Sequence, residues 1–133
     1  MAMALKTERY YWGIAQQNLD AAGLAKSADE CSRRAYDAGE AALLALVSDP
    51  PKRYTLRNRF SDLVSLLPID APQEILHDLS TLSYMEGLPS HTTDGGIYYQ
   101  DDWDRATAHL RAATRVTKWM QEQLEEKIKS YSL

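Results

Sequence analysis

Arg105 and His109 are four residues apart, a spacing that lets two side chains share one face of a helix. A second grouping, Lys52, Arg53, Arg57 and Arg59, crowds the expected start of a helix together with Asn58. Free backbone amides there point the same way, so a nucleotide phosphate could be received. Charge runs of this kind also occur as plain solvated surface. Arg111, Arg115 and Lys118 form a third grouping on one helical face, and residues 105 to 118 contain no acid.

Other chemistries find less support. Glu74 and His77 have the Glu-x-x-His spacing of di-iron bundles, but such a site requires a second copy and two further glutamates. No second copy occurs, and His77, His91 and His109 lack zinc-ligand spacing. Cys31 falls on an apolar stripe and reads as a core residue. The sequence holds no Walker loop, Rossmann glycine pattern, nucleophile elbow or H-E-x-x-H. No metal or cofactor is expected.

The elements that must position these residues are helices. Ala and Leu supply 17 residues each, against 8 for Val and Ile together, and strands prefer the β-branched types. At 133 residues the chain has the length of one domain, residues 1–133. Its net charge of −4 argues against a DNA-binding role. No apolar run reaches the roughly 18–20 residues a bilayer span needs, no signal peptide is evident, and a single cysteine asks for no oxidising compartment. A cytoplasmic protein is the simplest expectation.

Five segments have helical periodicity. The first is expected from about Thr7 to Lys26, with Trp12, Ala15, Leu19 and Ala22 facing a core. Tyr10, Ile14, Ala21 and Leu24 form a second apolar stripe on it. Ser27-Ala-Asp-Glu30 fits a capping box and opens a second helix that reaches about Val47, before Pro50 and Pro51. Its Cys31, Ala35, Ala38, Ala42 and Ala45 make a small-residue stripe, which predicts close packing. A third helix is expected over Thr55–Leu67, and a fourth from an Asp70 N-cap to about Glu86. Residues 89 to 100 read as the one extended loop, mobile over Thr92–Gly96 and anchored by Tyr98 and Tyr99. The last helix is expected over Asp101–Lys129, about 43 Å long against ~30 Å for the first. Trp119 lies off the core stripe of that helix, which makes it an interface candidate.

In the first helix, WGIAQQNLDAAGLA combines an aromatic, alanines and a Leu-Asp pair. In the second, CSRRAYDAGEAALLALV places Tyr36 ahead of Ala38, Glu40, Ala41, Ala42 and Leu43. FSDLVSLLP follows after a Pro-containing loop. In this order, over roughly residues 8 to 125, they resemble the opening, second and short third helices of the HEPN superfamily. Those are small bacterial and archaeal helical bundles often paired with minimal nucleotidyltransferases. Leu79 through Tyr99 corresponds to the variable section before the family's last helix. The ribonucleases of that family resemble one another in an Arg-x(4–6)-His motif. Here Asp62 stands where a histidine would follow Arg57-Asn58, and Arg105-Ala-Thr-Ala-His109 is one residue short. The Arg-Tyr-Pro element of many members is replaced by Leu88-Pro89-Ser90-His91.

The expectation is therefore an all-α, up-and-down bundle of four to five helices, HEPN-like. The resemblance implies a non-catalytic partner or substrate-binding subunit of a nucleotidyltransferase, in a toxin–antitoxin-like setting. Two alternatives are a ribonuclease toxin with a degenerate motif that uses Arg105 and His109 across a dimer, and a stand-alone bundle that binds a nucleotide or other small ligand near Arg53, Arg57 and Asn58. A homodimer is expected, with a seam through Tyr10, Ile14, Ala21, Leu24 and Trp119.

Overall fold

A computed structural model describes residues 2–47, 59–67, 70–83 and 100–131. Among the described residues the chain is all-α, with five helices and no strand: α1 (Ala2–Gly23), α2 (Ala28–Leu46), α3 (Arg59–Ser65), α4 (Gln73–Ser83) and α5 (Gln100–Tyr131). None of these helices is long and apolar enough to cross a membrane.

Local chemistry explains most of the boundaries. Helix α1 starts about five residues earlier than the sequence predicts, because Ala2–Lys6 are good helix formers and continue the turn. It also ends sooner, at Gly23. The Leu24 amide donates back to the carbonyls of Asp20 and Ala21, and a short turn leads to Ser27. The Ser27 side chain accepts from the Glu30 amide at 3.1 Å, so the expected N-cap of α2 is formed. Val47 closes α2, its amide bonding to the Leu43 carbonyl. The expected Asp70 cap of α4 is not used. That helix begins at Gln73, and the Pro72 carbonyl accepts its first bond from Leu76. Proline fixes its own φ near the helical value, which lets Pro72 itself start the turn. The 89–99 loop and the expected start of α3 at residues 55–58 lie outside the described residues.

Helix α2 is the hub, packed against all four of the others. Its buried face is nearly all small: Ala28, Cys31, Ser32, Ala35, Ala38, Gly39, Ala41, Ala42 and Ala45. Small side chains let neighbouring helices approach toward the low end of the usual 8–10 Å axial separation. Helix α1 returns against α2 as an antiparallel hairpin. Helix α5 starts beside the start of α2, where Cys31 meets Ala106 and Ser32 meets His109, so these two run parallel. The short α3 and α4 provide the return between them and cap one side of the core with Leu63, Ile75, Leu79 and Leu82. Leu43, Val116, Met120 and Leu124 fill the centre. A smaller cluster of Ala22, Ala28, Cys31 and Ala106, flanked by Trp103, seals the end where α1 turns into α2.

Candidate functional site

The Arg105–His109 pair, one residue short of the family's ribonuclease motif, is split between surface and interior. Arg105 is exposed, whereas His109 is 2% exposed and lies in the α2–α5 interface. Its Nδ1 is 2.9 Å from the Ser32 Oγ, a hydroxyl that serves either tautomer as donor or acceptor. Burial, with a smaller contribution from the Arg105 charge, holds the imidazole below its ordinary pKa. His109 is thus a neutral ring bonded into the bundle, turned away from any substrate on the Arg105 surface.

One turn away, the Cys31 thiol donates to the Ala106 carbonyl at 3.8 Å. Burial and the neighbouring Glu30 push this thiol above its ordinary value, which disfavours the nucleophilic thiolate. The expectation that Cys31 is a core residue agrees with its burial.

The basic face of α5 carries a feature that spacing alone did not reveal. Arg115 makes two 2.8 Å bonds to the buried Asp78 carboxylate on α4, one from Nε and one from Nη2. These bonds push the guanidinium above its ordinary pKa. The pair clamps α4 onto α5 with the bidentate geometry that favours arginine over lysine. A signal was available in the sequence. Asp78 sits between Ile75, Leu79 and Leu82 on the core face of α4, where a carboxylate requires a partner. A second clamp joins the beginning of α1 to the end of α5, where Lys127 Nζ lies 2.8 Å from Glu8 Oε1. Glu8 Oε2 and Thr117 Oγ1 are buried without a hydrogen-bond partner among the described residues.

The remaining candidates are scattered. Arg53, Arg57 and Asn58 lie outside the described residues. Glu74 and His77 are exposed on α4, and no group of three or more metal-ligating side chains occurs among the described residues. The five residues of the expected dimer seam do not share one open surface. Tyr10 on α1 and Leu24 in the turn just after it are 66% and 81% exposed. Ile14 instead packs against the main core, Ala21 is half-buried, and Trp119 on α5 also packs against that core. Val64 on α3 and Leu76, Leu79, Ser80 and Ser83 on α4 line a cavity of about 220 Å³. Comparison of the chain with models of protein families, with curated proteins and with solved structures returns no match.

Proposed function

We propose that the chain is a non-catalytic, HEPN-like bundle that works as a dimeric partner or substrate-binding subunit of a nucleotidyltransferase, in a toxin–antitoxin-like cytoplasmic setting. The observation that carries the non-catalytic part is the position of His109. An imidazole that is bonded to Ser32 inside the α2–α5 interface is not available to abstract a proton from RNA. The element order supports the family reading: two long helices, a short third and, after the short α4, a long final helix. Tyr10 on α1 and Leu24 in the turn after it supply apolar surface for a partner protein.

Two measurements test this. Incubation of the purified protein with total RNA should leave the RNA intact, and cleavage that disappears in Arg105→Ala would overturn the non-catalytic reading. Co-expression with a nucleotidyltransferase encoded beside it should give a complex that Leu24→Asp weakens. Separate elution of the two chains would refute the partnership.

A further inference from the structure

The outer face of α5 is electrically divided. Residues 105–118 contain four cations, Arg105, Arg111, Arg115 and Lys118, and no carboxylate. Residues 119–126 contain three carboxylates, Glu122, Glu125 and Glu126, and no cation. Arg111, Arg115, Lys118, Glu122 and Glu126 follow one another at steps of three or four, so they form one stripe, and all five are exposed. None of the ion pairs among the described residues involves Arg111, Lys118 or Glu122.

A helix face that is positive in one half and negative in the other complements a second copy of itself lying antiparallel. We propose that α5 packs across the α5 of a second copy of this chain, about a two-fold axis passing between residues 118 and 119. The inference rests on the dimeric part of the reading above and moves the seam from α1 to α5. Arg111 and Glu126 lie on opposite sides of that axis at the same distance, about 11 Å at 1.5 Å per residue. The two-fold therefore sets each Arg111 against the partner copy's carboxylate at 126. Arg115 and Glu122, each about 5 Å from the axis, meet in the same way. Two of the five Arg115 donors hold Asp78, and its side chain is still 58% exposed, which leaves donors for Glu122.

The register rests on the Arg111–Glu126 pair: moving the axis about one and a half residues toward the C-terminus sets Lys118 against Glu122 but puts Arg111 against Lys129, a like-charge contact. Trp119, half-buried against its own core, comes next to the axis, where the rest of the indole can be covered. An aromatic centre with charged pairs around it is the usual anatomy of a specific interface.

Sedimentation at low salt tests the arrangement with two exposed positions whose substitution should leave the bundle folded. The unaltered chain should sediment as a dimer that weakens as salt rises. Arg111→Glu and Glu126→Arg should each raise the dimer dissociation constant on the order of tenfold, because each creates two repulsive contacts per dimer. Mixed in equal amounts, the two variants should associate with each other, and a chain carrying both changes should regain self-association. Circular dichroism confirms that every variant keeps its helices. Single variants that dimerise as tightly as the parent, or a mixture that stays monomeric, would overturn the α5 seam and leave the dimer itself standing. A parent chain that is monomeric would overturn both the seam and the dimeric reading.

Discussion

The α1–α2–α5 slab and the α3–α4 flank pack by different means. In the slab, α2 buries six alanines, a glycine, a cysteine and a serine along one face, and helix position follows from how closely backbones approach. In the flank, two short helices insert Leu63, Ile75, Leu79 and Leu82 into the core, leave a cavity between them, and depend on the Asp78–Arg115 clamp. The slab should therefore suffer most from added volume, and the flank most from a lost partner.

The first way to break this contrast is to enlarge the slab. Ala42 is fully buried on α2, so Ala42→Leu has no room and is expected to cost about 3 kcal/mol. Urea unfolding measures it, and a loss below about 1 kcal/mol would mean that the slab packs less closely than described. The flank is tested by Arg115→Met, which leaves the Asp78 carboxylate buried without its partner. A loss of about 2 kcal/mol is expected, less than for a fully buried pair because Arg115 is largely solvated. Asp78→Asn should cost less than Arg115→Met, since the released guanidinium can turn to water. The reverse order would show that the clamp is not what holds α4.

The smallest effect concerns pH and sharpens the picture of the slab. The folded-state pKa of His109 lies below its ordinary value, so the unfolded chain binds the proton more readily. Its contribution to stability is complete above about pH 6.5 and is lost as pH falls from there toward the folded-state value. The urea midpoint should drop between about pH 7.5 and 5.5, and His109→Gln should reduce that drop. An unchanged pH dependence in His109→Gln would show that the ring does not titrate in the interface.

Sequence periodicity carried the helices well where a cap or a regular stripe marks them. Ser27 and the alanine positions of α2 placed that helix within about a residue, because capping and patterning are local. Asp70 misled, since proline can start a turn without an upstream acid. The site was harder to read for a reason of geometry. Arg105 and His109 are neighbours on a helical net, but only the placement of α2 decides which of them faces Ser32 and which faces water. Ile14 and Trp119 look surplus on single-helix stripes, yet the bundle has three packing directions and uses both. Asp78 shows the converse, a charge on an apolar stripe whose cationic partner lies 37 residues away.

Cys31 gives the slab its own kinetic gauge. Its sulfur is buried against the Ala106 carbonyl, so a thiol reagent in solution can react only when the α1–α2 turn and the start of α5 separate. When closing is fast, the labelling rate divided by that of the unfolded chain equals the fraction of time the gap is open. A single cysteine in the whole sequence makes that reading unambiguous, because every modified molecule reports the same opening.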